Sequence, residues 1–558
     1  ELGSVEILCN HLIRLFVSSQ SLLEATFVFN IVSKPSVYTW SSIISAYADF
    51  GLSSIAIQLY YQAILDGFDT NKCICLAGLK ACVASSMASL TYVMLIHHVI
   101  MEKSYLYHDV MVGNALIHVY TKCGIGSLED AYKVFVGLAY RTIVSWNAMI
   151  TGYAQFGDMD LAMKCFKDMK RDAITPNLIS WGSIIAGYAQ NGTGSLALDC
   201  YISMQKERIS LDKVVFSSAL QACGSISSLN EGRLIHFQII EMNLYPVREL
   251  GTALVDMYSK CGNLEDAKNV LTKFPVREVG PWNALISGYA RHGNLDLALQ
   301  GLKDMQKDGI KPDVITWTAI IGGLVQNDDG LLAMDCFRKM EEEGITPNAH
   351  TYSNILKACG IMCASEDGMV IHDQLMRSGI QNPVVGNTLV DMYARCGNTR
   401  ESHKLLTKLQ FRNVVSWGAL IEGYSNSGNV NLALQCFHDM QDDGIKPNGA
   451  IFVCILTACS HSGLVDEGYK YFNLMKDDYN IMPTIHHHIC MVDLLARTGH
   501  LKEAENVFLA LNVNHNGCRI LLTAGRTFGN LDLGKRCFER VQQKDNLDTS
   551  ECFLMLDV

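Results

Sequence analysis

The side chains able to do chemistry are numerous in this sequence, and their spacing decides what they can do. Twenty cysteines are spread along 558 residues, unlike the crowding in a short secreted chain that marks a disulfide framework. They read as free thiols in a reducing compartment. Cys73 and Cys75 stand two apart, which is not the spacing of a zinc knuckle. His486, His487 and His488 run together, but helical neighbours diverge by about 100° and do not converge on one metal. The His-x-Glu and Pro-Cys-x-x-Cys phrases that hold zinc in base deaminases are absent. So are a phosphate-cradling Gly-rich loop and a nucleophile elbow. The chain reads as a non-enzyme with no metal site and no cofactor.

What does recur is a set of phrases. Trp40, Trp146, Trp181, Trp282, Trp317 and Trp417 lie 106, 35, 101, 35 and 100 residues apart. Each sits in one phrase: YTWSSIISAYA, VSWNAMITGYA, ISWGSIIAGYA, GPWNALISGYA, ITWTAIIGGLV and VSWGALIEGYS. A second phrase carries Cys82, Cys223, Cys359 and Cys459 (GLKACVA, ALQACGS, ILKACGI, ILTACSH). A third carries Cys123, Cys261 and Cys396 (GNALIHVYTKCG, GTALVDMYSKCG, GNTLVDMYARCG). Fixed periods of this length are the signature of a repeat architecture.

The elements that carry these phrases follow from periodicity. Apolar residues recur at i, i+3, i+4 and i+7, so Met149, Ile150 and Tyr153 share a helix face with Trp146. Gly157, Gly293 and Gly428 follow, where a helix end needs a residue that tolerates a left-handed backbone. A second amphipathic run comes next, such as LDLALQGLKDMQKDG. Pro176, Pro312, Pro347 and Pro447 then occupy one slot and are expected to stop that second helix. Two antiparallel helices in about 31–38 residues cannot bury their apolar face alone, so neighbours must stack. The expected fold is all-α: a right-handed α-solenoid superhelix of stacked helix hairpins.

Composition agrees. Only 10 prolines and 49% hydrophobic residues exclude a largely disordered chain. No uninterrupted apolar run of about 18 residues offers a membrane span. The net charge of −11 argues mildly against a phosphate-rich partner, because binding to phosphates draws on clustered Lys and Arg. The chain opens on Glu1 and reads as a fragment, with any targeting peptide upstream.

The phrases closely resemble pentatricopeptide repeats, and their three kinds resemble the P, L and S variants of the plant PLS subclass. After an N-terminal end at 1–5, S-type units fall at 6–36, 110–142, 248–278, 383–413 and 485–515. P-type units fall at 37–71, 143–177, 178–212, 279–313, 314–348 and 414–448, and L-type units at 72–109, 213–247, 349–382 and 449–484. The tail at 516–558 resembles a partial E-type extension, with Cys518 where that extension usually has Trp.

The resemblance implies one repeat per RNA base, read by the fifth residue of the first helix and the last residue of the repeat. In P-type units the pairs are Ser41 with Asn71, Asn147 with Asn177, Gly182 with Asp212, Asn283 with Asp313, Thr318 with Asn348, and Gly418 with Asn448. In S-type units they are Asn10 with Ser36, Asn114 with Thr142, Thr252 with Glu278, and Asn387 with Asn413. Family rules then give 5′-Y-A-n-Y-C-n-n-n-U-A-n-C-n-n-n-3′. Gly182 and Gly418 supply no side chain, and Leu76, Ser217, Ser353 and Val453 of the L-type units are weakly informative. Val144, Ile179, Ile315 and Val415 stand where the family places residues between adjacent bases. Lys122, Lys260, Arg395 and Arg497 recur at one slot, where they would hold phosphates or simply favour a helix C-terminus.

For the whole chain the resemblance implies a site-recognition factor for C-to-U editing of single-stranded organellar RNA, in mitochondrion or chloroplast. A separate cytidine deaminase or editing-complex protein would meet the C-terminal extension. A splicing or transcript-stability factor, and a protein-binding helical scaffold, stay open beside it.

Overall fold

The computed structural model describes residues 2–32, 35–68, 71–84, 90–103, 108–244, 248–273, 278–380 and 382–509, with isolated positions between 520 and 536. The extension expected at 516–558 falls almost wholly outside the described residues, as does the side chain of Asn10. Among the described residues every regular element is a helix.

Two compact units divide the chain, Glu1–Gly288 and Tyr289–Val558. The first holds Leu2–Ser18 with Leu22–Ile31, Val37–Asp49 with Ser53–Leu65, Lys72–Ala84 with Leu90–Glu102, and Val110–Tyr120 with Leu128–Gly137. Ile143–Gln155 with Met159–Arg171, Leu178–Gln190 with Gly194–Lys206, Lys213–Ser225 with Leu229–Glu241, and Arg248–Lys260 with Leu264–Lys273 continue the series. Val279–Arg291 and Leu295–Lys307 come next. In the second unit follow Val314–Gln326 with Gly330–Glu342, Ala349–Ile361 with Ser365–Ser378, and Pro383–Arg395 with Thr399–Lys408. Val414–Asn426 with Val430–Asp442, Gly449–Ser462 with Val465–Asp477, and Ile485–Arg497 with Leu501–Leu509 complete it. From Leu2–Ser18 to Lys213–Ser225 in the first unit, and from Val314–Gln326 to Gly449–Ser462 in the second, each first helix packs on its own second helix and on the first helix of the next pair. That is the nearest-neighbour plan of a solenoid.

The recurrent phrases supply the packing. Trp40, Trp146, Trp181, Trp317 and Trp417 are buried, and Trp282 is half-buried. Trp146 meets the edge of Phe135 at 4.7 Å between centroids, and Trp181 meets Phe166 at 4.7 Å, each Phe lying on the second helix of the preceding pair. The indole N–H of Trp181 donates to Glu207 at 3.3 Å, Trp317 to Glu343 at 3.2 Å, and Trp417 to Asp443 at 3.2 Å. One side chain thus clamps both helices of its own pair and the neighbour before it. Gly187 lies so close to the preceding pair that a Cβ would stand 2.6 Å from Met159 Sδ. Cys82, Cys223, Cys359 and Cys459 are core thiols, and burial pushes the first three up to about 12, where they are inert as nucleophiles.

The prolines do not stop the second helices. Those helices end earlier, at Arg171, Lys307, Glu342 and Asp442, and the chain reverses through positive φ at Ala173 (59°), Gly309 (76°), Gly344 (74°) and Gly444 (74°). Pro176, Pro312, Pro347 and Pro447 instead stand just before the N-cap of the next first helix. There their fixed φ and missing donor suit an extended approach.

A polar contact recurs where Leu-Ile-His-type second helices meet the following first helix. His97 Nδ1 and the Tyr120 hydroxyl are 2.8 Å apart, His236 and Tyr258 3.0 Å, and His372 and Tyr393 3.1 Å. Burial holds all three imidazoles below their usual pKa of 6.5. The unfolded chain therefore takes up protons first, and stability falls as pH drops below about 6.5. Thermal melts between pH 8 and 5.5 should be flat above that point and fall below it. His372→Gln should lose less on acidification than the parent.

Candidate nucleic-acid interface

The candidate site begins with helix starts. A first helix leaves its leading N–H groups unpaired, and the residue before it supplies the acceptor. Among the described caps, the last residue of the preceding repeat is that residue. Ser36, Thr142, Asn177, Asp313, Asn348 and Asn413 each form a reciprocal capping box with the third helical residue. Asn71, Asp212 and Asn448 accept from the N–H groups of Ile74 (3.2 Å), Val215 (2.9 Å) and Ile451 (3.1 Å). Glu278 and Thr252 are half-buried.

The fifth residues reach across to these caps. Asn147 Nδ2 donates to Asn177 Oδ1 at 3.1 Å, and Asn114 Nδ2 donates to Thr142 Oγ1 at 3.3 Å. Thr318 is linked to Asn348 through the Thr351 hydroxyl, at 2.7 and 3.1 Å. Ser41 turns instead to the Tyr38 carbonyl of its own helix at 3.0 Å. Asn147 and Asn283 are nearly closed off, at 8% and 7% exposure. Asn387 Oδ1 is buried with no hydrogen-bond partner among the described residues. Ser41, Asn114, Asn147 and Thr318 therefore do not cap their own helices; the last residues do.

In both units the second residue of several of these helices is an apolar side chain that the packing does not use. Val144, Ile179, Ile315 and Val415, each the second residue of its helix, are 56%, 57%, 56% and 63% exposed. Tyr38, Met111, Val214 and Val384 occupy the same slot and are exposed too. Where Gly182 stands, the missing side chain opens onto a cavity of about 330 Å³ lined by Ile179, Ser183, Asp212, Val214 and Val215. An apolar wall with a carboxylate at its rim can accept a planar ring.

The recurrent cations are committed elsewhere. Lys260 pairs with Asp256 at 2.7 Å, Arg395 with Asp391 at 2.9 Å and Arg497 with Asp493 at 2.8 Å, all one turn back on the same helix. Lys122 donates to Gln155 at 3.2 Å. A file of unopposed phosphate-binding charges is not what these four make. His487 of the histidine run is a buried partner of Thr484 and of the Gly449 carbonyl, while His488 turns to the Thr484 carbonyl.

One class of residue escaped the sequence reading. Thr39, Ser145, Ser180, Thr316, Thr351 and Ser416 are wholly buried hydroxyls at the third helical position. They accept from the N-cap backbone and contact the reading pairs. The signal was in the phrases themselves: the residue before Trp is Ser or Thr in five of the six, Pro281 being the exception.

Comparison with known proteins meets the same repeats. Pentatricopeptide repeat models match residues 38–68, 141–182, 179–209, 252–277, 277–326, 302–362, 387–414, 412–450 and 450–479, more than half of the chain. The chain belongs to the pentatricopeptide repeat family. A pentatricopeptide repeat-containing protein of Arabidopsis thaliana is 34% identical over 78% of this chain and 53% of that protein. Another is 30% identical over 94% of this chain and 62% of that protein. A third, named as chloroplastic, is 28% identical over 94% of this chain and 56% of its own length. The chain thus spans between about half and two-thirds of these plant pentatricopeptide repeat proteins. The crystal structure of the maize pentatricopeptide repeat protein PPR10 shares its fold, with a TM-score of 0.54 at 18% identity, covering 98% of this chain and 80% of that one. Among the described residues no helix is long and apolar enough to cross a membrane.

Capping predicts a separation of stability from recognition. Asn348→Ala should lower the unfolding free energy in urea by about 1 kcal/mol. Ile315→Ser, at an exposed second position, should leave it within about 0.5 kcal/mol.

Proposed function

We propose that this pentatricopeptide repeat protein binds single-stranded RNA in sequence, one base per repeat. The observation that carries the reading is the adjacency of fifth and last residues at Asn147–Asn177 and Asn114–Thr142, together with the exposed apolar second residues Val144, Ile179, Ile315 and Val415. Splayed bases can be stacked by such apolar side chains and read on their edges by two polar ones. In this reading Ser41, Asn71, Asn10, Ser36, Thr252, Glu278, Asn283, Asp313, Thr318, Asn348, Asn387, Asn413, Asp212 and Asn448 serve the remaining bases.

The electrostatics fit a base-held rather than a phosphate-held strand. With net charge −11 and the Lys260, Arg395 and Arg497 slot neutralised, few counterions are released on binding. The logarithm of affinity should fall with the logarithm of salt at a slope shallower than about −3, since each phosphate contact on a single strand contributes about −0.7. Filter binding between 50 and 300 mM salt, on the order of a sixfold range, checks it.

At the level of the cell, we place the protein in a plant organelle as a site-recognition factor for C-to-U editing, with the deaminase supplied in trans. The likeness of 516–541 to an E-type extension supports this over a splicing or stability role.

The test is a titration of the chain against RNA of the deduced order beside a shuffled RNA. Thr318→Asn should move the preference at the tenth nucleotide from adenine to cytosine and leave the others alone. Equal binding to both RNAs, or none, refutes base-by-base reading. Loss of one organellar editing event in plants lacking the gene, with splicing intact, would separate editing from the alternative.

A further inference from the structure

A side-chain amide can show a base either its oxygen or its N–H groups. Which one it shows depends on what holds the other. In the pair Asn147–Asn177 both amides are held by Ser180, the third residue of the next helix. The Ser180 N–H donates to Asn177 Oδ1 at 3.1 Å, fixing that amide. Its hydroxyl donates to Asn147 Oδ1 at 2.5 Å, while Asn147 Nδ2 donates to Asn177 Oδ1 at 3.1 Å. Turning Asn147 over would set its oxygen against that of Asn177. Ser180 is wholly buried and Asn147 nearly so, so water does not compete for either.

We propose that the buried hydroxyl at the third helical position is a positioning residue for base selection by the repeat before it. The inference rests on the RNA-reading function proposed above. With both oxygens engaged, the pair offers N–H donors outward. Cytosine answers two donors with its adjacent N3 and O2 acceptors, whereas uracil puts an N3–H donor between two acceptors. The locked pair therefore selects cytosine over uracil.

Two further repeats bear on this. At Asn114 the Ser145 hydroxyl donates to Oδ1 at 2.6 Å, and Nδ2 reaches Thr142 at 3.3 Å, the same arrangement. At Asn387–Asn413 the Ser416 hydroxyl donates instead to the Asn413 carbonyl at 2.9 Å, and Asn387 Oδ1 is left buried without a partner among the described residues. The same residue pair thus exists locked at 147 and unlocked at 387. With no hydroxyl holding its oxygen, the Asn387 amide can turn and present either oxygen or N–H groups, so the twelfth nucleotide is read less strictly than the fifth.

The experiment measures affinity of the full chain for the deduced 15-position RNA with cytosine or uracil at the fifth or the twelfth nucleotide. The parent should prefer cytosine more strongly at the fifth. Ser180→Ala should lower the cytosine-to-uracil ratio there by about fivefold and leave the ratio at the twelfth unchanged. Ser180→Thr, which keeps the hydroxyl, should restore it. Ser145→Ala repeats the test at the fourth nucleotide, with melting curves showing that each variant is folded. If Ser180→Ala weakens every RNA equally, or leaves the fifth-position ratio intact, the hydroxyl only caps a helix and the proposal fails. A parent that distinguishes no base at any position overturns the RNA reading itself, and this inference with it.

Discussion

No helix pair in this protein can bury its own apolar residues, and the rest of the structure depends on that constraint. Trp146 and Trp181 complete their surroundings only with Phe135 and Phe166 of the pair before. Gly187 exists as glycine because the preceding pair stands where its side chain would go. Stability in such a chain is a sum over neighbours rather than a property of one core. The stacking within each unit also brings the fifth residue of one first helix beside the start of the next, as at Asn147 and Asn177.

The junction between neighbours is where the fold and the proposed recognition share atoms. Asn177 ends one repeat, caps the next helix through Ser180 and accepts from Asn147. The helix start is thus the mount of the reading pair: the backbone N–H that needs an acceptor fixes how the amide is turned. Sites built on regular elements are held more precisely than sites on loops. In the proposed reading, that mount recurs at Asn114–Thr142.

The all-helical architecture was legible because tryptophan, small residues and helical periodicity recur in fixed phrases. The pairing of fifth and last residues was legible only through resemblance, since nothing in composition or period marks Asn147 and Asn177 as neighbours. The prolines misled because a helix end and a helix approach both tolerate Pro, and the positive-φ residues Ala173, Gly309, Gly344 and Gly444 had already ended the helices. The cation slot is open to two readings in the sequence for a related reason. Lys260 and Arg395 recur in the sequence, but the carboxylates one turn back that neutralise them are visible only once the helix is drawn. Ser180 and its equivalents were passed over because a hydroxyl beside a tryptophan reads as filler until its two oxygen partners are seen.

The double duty of the capping residue also limits what the chain can say. A position that must start a helix admits Asn, Asp, Ser and Thr and little else, and the last residues of the repeats, Val247, Glu278 and His515 apart, keep to those four. The vocabulary available at that position is therefore set by backbone chemistry rather than by RNA. Within it, one letter can replace another without disturbing the scaffold, so the message can drift while the fold stays the same.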